Sequence, residues 1–178
     1  MQTTSKLLHN LHQFDLRMML WCSQSRNYNL LIQLAKQISR SGDGLLQIVL
    51  PAGLVALNAD DSLLFIKMVV AGFLIERPLY WLLKNSLKRR RPPEAIPSFQ
   101  SVITASDKFS FPSSHTAAAF LLATLALLVY GSSAWILLPW AICVGASRVV
   151  LGVHFPGDIL AGATLGTAIG FYTASFFI

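Results

Sequence analysis

Charge is scarce in this sequence: 12% of its 178 residues are Asp, Glu, Lys or Arg, against 54% hydrophobic, and the mean hydropathy is +0.56. A soluble domain of this length needs a polar skin that such a composition does not supply, so the bilayer must cover much of the surface. Cysteine is scarcer still, with Cys22 and Cys143 alone, and neither a disulfide framework nor a zinc site can be built from them. No carboxylate cluster and no HExxH-type pair occurs to seat a divalent cation. The N-terminal stretch lacks the continuous apolar core of a cleaved signal, because His9, His12, Asp15 and Arg17 interrupt it, and it is expected to be retained.

What the chain does have is cations and apolar runs. The net charge of +6 sits between hydrophobic stretches rather than on a polar domain, which points to anionic lipid headgroups and away from nucleic acid. Five stretches are apolar enough to cross, roughly 44–58, 62–83, 113–131, 133–151 and 156–178, the first of them short for the ~20 residues a crossing helix needs. Residues 5–22 and 27–40 place apolar side chains at helical spacing but carry Arg17, Arg26, Lys36 and Arg40, the pattern of interfacial amphipathic helices. The expected fold is therefore all-α: an integral membrane bundle of five crossings, or six if the N-terminus also crosses, with residues 1–40 interfacial and 41–178 membrane-embedded. In the last run, Gly162, Gly166 and Gly170 recur every four residues and predict a stripe where another helix approaches closely. Pro92, Pro93, Pro97 and Pro112 break the connection between 84 and 111.

With five crossings, the N-terminus, this connection and the turn at 152–156 share one membrane face, which gathers three polar segments. Lys84, Arg91 and Arg148 placed in one pocket would repel by about 4 kcal/mol per pair at 4 Å and an effective dielectric of 20, so an anion belongs between them. Phosphate fits, through bidentate arginine forks and a lysine point charge. Lys88, Arg89 and Arg90 read instead as membrane-surface anchors. Pro112-Ser113-Ser114-His115 opens an apolar helix, so its first backbone N–H groups form an anion cradle, while His115 is placed to donate a proton. Ser113 or Ser114 used only as an N-cap is the plainer reading of those residues. His154 and Asp158, four residues apart, are within reach of each other; a carboxylate on Nδ1 would fix the tautomer and leave Nε2 to attack.

These residues resemble the type 2 phosphatidic acid phosphatase family, whose signature is Lys, six residues, Arg-Pro; then Pro-Ser-X-His; then Ser-Arg, five residues, His, three residues, Asp. The matching segments are KNSLKRRRP at 84–92, PSSH at 112–115 and SRVVLGVHFPGD at 147–158, with Ser114 where many members carry glycine. The resemblance covers the chain from about Ser41 onward and implies a lipid phosphatase of two steps. His154 takes the phosphoryl group as His115 protonates the departing oxygen, and His115 then activates water to cleave the phosphohistidine. It also implies no metal and no cofactor, with Lys84, Arg91 and Arg148 carrying the electrostatic load.

A site at the interface suits a lipid whose headgroup enters while its chains stay in the bilayer. Among small bacterial members of the family, undecaprenyl diphosphate is the preferred substrate, with phosphatidylglycerophosphate and phosphatidate as alternatives, and the bacterial inner membrane is the expected location. The positive-inside rule places the catalytic face in the cytoplasm, whereas family members acting on recycled polyprenyl carriers face outward. A non-catalytic protein holding anionic lipid headgroups is the competing class. A vanadium haloperoxidase would share the anion pocket, but such enzymes are soluble and this hydropathy is not.

Overall fold

The computed structural model describes residues 13–21 and 28–178; Lys6, His9, His12, Cys22 and Arg26 lie outside the described residues. Helix α1 runs through 13–21, followed by α2 (Tyr28–Ser41), α3 (Leu45–Ala56), α4 (Ser62–Leu87), the single turn α5 (Pro92–Ala95), α6 (Ser114–Tyr130), α7 (Leu137–Val150) and α8 (Pro156–Ala174). No strand occurs among the described residues. The five apolar runs become α3, α4, α6, α7 and α8. Residues 114–134 make the one described helix long and apolar enough to span by length and composition alone, and α3 and α7 are shorter apolar helices.

The 12 residues of α3 reach only about 18 Å, well short of a ~30 Å hydrocarbon layer. The Ser41 hydroxyl accepts from the Trp140 indole at 2.9 Å, and Trp140 lies ten residues, about 15 Å, before the end of α7. Helix α2 thus packs along α7, its end hydrogen-bonded near the start of that helix.

The closest packing in the bundle is α6 against α8, along the glycine stripe. A Cβ on Gly166 would stand 2.1 Å from the Ala117 carbonyl oxygen and 2.9 Å from the Leu121 amide, both backbone atoms that cannot yield. Gly166→Ala is expected to destabilise the bundle by about 1–3 kcal/mol, as overpacking does. Thermal unfolding in detergent checks this, and an unchanged midpoint would contradict the packing. Around this seam Phe65 and Met68 of α4 meet Leu121, Leu122 and Leu125 of α6 and Ile169 of α8. Ile48, Leu74, Trp81, Ile136, Leu160 and Phe171 face outward, apolar surface that water would not tolerate and a bilayer covers.

One end of the bundle collects the end of α4, the 88–113 connection, the start of α6 and the turn from α7 to α8. Val102 donates its amide to the Leu151 carbonyl at 3.0 Å, so the connection folds down onto that turn. Buried Leu151 and Val153 pack there with Ala35 of α2 and with Val102 and Ile103. This small apolar layer fixes the floor on which His154 stands.

Candidate active site

The Arg-Pro pair shapes the first segment. Helix α4 stops at Lys88, and the following proline denies Arg91 the helical region, so Arg91 is extended (φ −76°, ψ 159°) and its side chain turns back over the bundle end. Its guanidinium donates to the Val153 carbonyl at 2.5 Å and through Nε to the Asp107 carbonyl at 3.0 Å. The same Nη1 lies 3.5 Å from His154 Nε2. A fixed cation therefore stands beside the ring nitrogen expected to attack.

His154 is 1% exposed, in the turn before α8. Its Nδ1 faces Asp158 Oδ2 at 3.6 Å, just beyond hydrogen-bond length, and has no closer partner among the described residues. Asp158 is itself immobilised: Oδ2 accepts the Phe155 amide at 2.8 Å and Oδ1 accepts from Arg89 at 2.7 Å. Burial pushes the His154 imidazole down to about 4, against the opposing pull of Asp158 and with Arg91 pushing the same way. The ring is thus neutral at pH 7, with an electron pair to give.

The second segment starts α6. Ser113 occupies the N-cap position without a side-chain cap; its buried hydroxyl accepts from Thr116 at 3.0 Å and its amide donates to the Asp158 carbonyl at 3.1 Å, which ties α6 to α8. Ser114 and His115 line a cavity of about 1080 Å³ together with Arg148. Arg148 is 5% exposed in the last turn of α7; Nη1 donates to Ser39 at 2.6 Å, while Nε is buried with no partner among the described residues. That donor is free for a ligand. The cavity continues between Ile48, Val70 and Leu74, side chains that are themselves lipid-facing.

Lys84, Arg91, His154 and Asp158 are not on the cavity wall, and a carboxylate stands between Lys84 and Arg91. Asp107, from the proline-broken connection, accepts from Lys84 at 2.6 Å and Tyr80 at 2.6 Å and pairs with Arg91. Burial opposes its charge, but Lys84 and Tyr80 outweigh this and hold it down at about 2. The mutual repulsion of Lys84 and Arg91 calls for an anion, and here the protein supplies one.

Arg89, which the sequence alone presents as a surface anchor, instead bridges Asp158 and Asp15, reaching Asp15 at 2.5 Å, with its guanidinium 4.4 Å over the Phe155 ring. Asp15 is 3% exposed and also accepts the Gly157 amide at 2.8 Å. Two carboxylates at this end of the bundle, Asp15 and Asp107, are not singled out as site residues by sequence reasoning. Asp107 left one signal, as the acid besides Glu94 in the connection between two cations. Among the described residues no group of three His, Cys, Asp or Glu gathers as a metal would need.

Comparison with known proteins agrees with this geometry. The PAP2 superfamily model matches residues 62–177. The chain is 32% identical over 109 residues to the bacitracin transport permease protein BcrC of Bacillus licheniformis, covering 61% of this chain and 53% of that protein. It is 30% identical over 102 residues to a decaprenylphosphoryl-5-phosphoribose phosphatase of Mycobacterium tuberculosis, covering 56% and 54%. The chain thus spans about half the length of these curated relatives. The crystal structure of Aquifex aeolicus LpxE superposes with a TM-score of 0.76 at 26% identity, over 90% of this chain and 94% of that one. With all three signature segments inside the matched region and at one end of a helical membrane bundle, the chain belongs to the PAP2 superfamily.

Proposed function

We propose that this protein is a metal-independent lipid phosphatase that works through a phosphohistidine on His154. The observation that carries the reading is the arrangement around that ring, with Asp158 behind Nδ1 and the Arg91 guanidinium at Nε2. In the first step Nε2 attacks phosphorus, the N–P bond forms, the P–O bond to the lipid breaks, and the departing oxygen takes a proton from His115. In the second step water attacks phosphorus and gives its proton to His115, the P–N bond breaks, and His154 recovers its electron pair. Lys84, Arg91 and Arg148 bind the non-bridging oxygens, joined by the first amides of α6 at Ser114, while Ser113 anchors that turn. Because Asp107 already engages Lys84 and Arg91, the incoming phosphate must displace it or share those cations.

Undecaprenyl diphosphate is the substrate we favour, with phosphatidylglycerophosphate and phosphatidate behind it. The cavity supports a lipid, since Ser114, His115 and Arg148 at its head give way to Ile48, Val70 and Leu74. A relative named for a decaprenylphosphoryl substrate supports a polyprenyl chain. Bacterial relatives support the inner membrane as its location. The test is phosphate release by purified protein in detergent from these three lipids, with and without EDTA. Release fastest from undecaprenyl diphosphate, unchanged by EDTA and blocked by vanadate, is expected; binding without release would favour a non-catalytic headgroup binder, and strict magnesium dependence would overturn the mechanism.

A neutral His154 also sets the acid side of the pH profile. Its folded value near 4 lies below the ordinary value of 6.5, so the attacking form persists until pH falls toward 4. The acid limb of kcat/KM is therefore expected between pH 4 and 5; a limb at 6.5 would contradict the burial of this ring. In the same window the unfolded chain binds the extra proton, so stability rises with pH from about 4 to 6.5 and is lost as pH falls through it.

A further inference from the structure

We propose that Asp43, at the joint between α2 and α3, is a positioning residue that holds His115 in the orientation and protonation state needed to release the lipid oxygen. This rests on the phosphatase reading above and adds to it a residue outside the matched region, which begins at residue 62. Asp43 Oδ1 lies 2.8 Å from His115 Nε2, and the other ring nitrogen, Nδ1, faces Ser114 Oγ at 3.4 Å. One nitrogen is thus tied to a carboxylate, and the other is left to carry the transferred proton. The pairing repeats at His115 what Asp158 does for His154, with the two nitrogens exchanged.

The joint is built to hold that carboxylate in place. Gly44 has φ +108°, a conformation that side-chain-bearing residues rarely adopt, and it turns the chain between the two helices. At Gly42 a Cβ would meet the Val144 side chain at 2.7 Å, so the backbone lies directly on α7. Ser41 is hydrogen-bonded to Trp140 and Ser39 to Arg148, both on α7. The end of α2 is therefore pinned on α7 just before the position it presents.

Electrostatics supply the reason for a carboxylate here. His115 sits beside Arg148 in a cavity also lined by Lys36, Arg40 and Arg77, and Asp43 is the carboxylate on that wall. Asp43 is the carboxylate in contact with the ring. The Asp43 carboxylate accepts a hydrogen bond from the Nε2–H, while the Nδ1 proton goes to the leaving oxygen and returns from water, as in other imidazole–carboxylate pairs.

The experiment uses the full chain with Asp43→Asn and follows phosphoenzyme formation in a single turnover from two donors. Phosphatidate has an alkoxide leaving group that needs a proton; p-nitrophenyl phosphate releases a nitrophenolate that does not. Asp43→Asn is expected to slow transfer from phosphatidate by at least about tenfold and from p-nitrophenyl phosphate by less than about threefold. Vanadate binding should be unchanged, and Asp43→Glu should restore part of the loss. Equal losses on both donors, or none on phosphatidate, would overturn the proposal; a wild-type protein that forms no phosphoenzyme from either donor or from undecaprenyl diphosphate would instead overturn the phosphatase reading beneath it.

Discussion

His154→Ala is expected to lower turnover by about 10⁴-fold or more, the scale on which loss of a covalent nucleophile is felt. Among the described residues the nearby candidates are occupied: Asp158 is spent on the Phe155 amide and Arg89, and Ser114 lies by the ring of His115. The anion pocket should survive the change, because Arg91 is held by the Val153 and Asp107 carbonyls rather than by the imidazole. Vanadate affinity within a few fold of wild type, together with absent phosphate release, is the expected pair of results. Retention of more than about 1% of activity would mean that water attacks phosphorus directly and that no phosphohistidine lies on the path.

A different signature is expected of His115→Ala. General acid–base groups contribute roughly 10² to 10⁴-fold, and here one group serves both steps, as acid and then as base. With p-nitrophenyl phosphate the first step needs no acid, so a phosphoenzyme should form and then persist for want of activated water. Acid-labile, base-stable phosphate on His154, detected by mass spectrometry of the quenched variant, is the expected outcome. Rapid breakdown of the phosphoenzyme would remove His115 from the second step, and failure to form it would give His115 a part in the attack itself.

The helices were legible because a bilayer demands runs of apolar residues, and the five runs reappear as α3, α4, α6, α7 and α8 with ends shifted by a few residues. The glycine stripe was legible for a similar reason: Gly162, Gly166 and Gly170 have one good use in a membrane helix, and they find it against α6. The signature residues could be named because their spacing is fixed within short segments. What stayed hidden are the groups that hold them. Asp15 reaches Gly157 across 142 positions, Arg89 reaches Asp15 across 74, and His115 reaches Asp43 across 72. No local periodicity encodes such a contact, and a charge in a connection looks the same whether it faces solvent or another helix. Arg89 shows the cost of this, since the run Lys88-Arg89-Arg90 reads as one solvated patch until the fold sends its middle member inward.

Asp107 teaches a related lesson. Cations in a pocket imply an anion, but the sequence does not say whether the protein or the ligand brings it. Here Lys84 and Arg91 close on Asp107, which offsets part of their charge without substrate and gives the connection between α4 and α6 a place to dock.

The most direct measurement is an experimental structure of the protein with vanadate bound. The account predicts vanadium bonded to His154 Nε2 as a trigonal bipyramid, with its oxygens held by Lys84, Arg91, Arg148 and the first amides of α6, and with Asp107 drawn away from its two cations. Vanadate seated elsewhere, with Asp107 still between Lys84 and Arg91 and the His154 ring untouched, would contradict it.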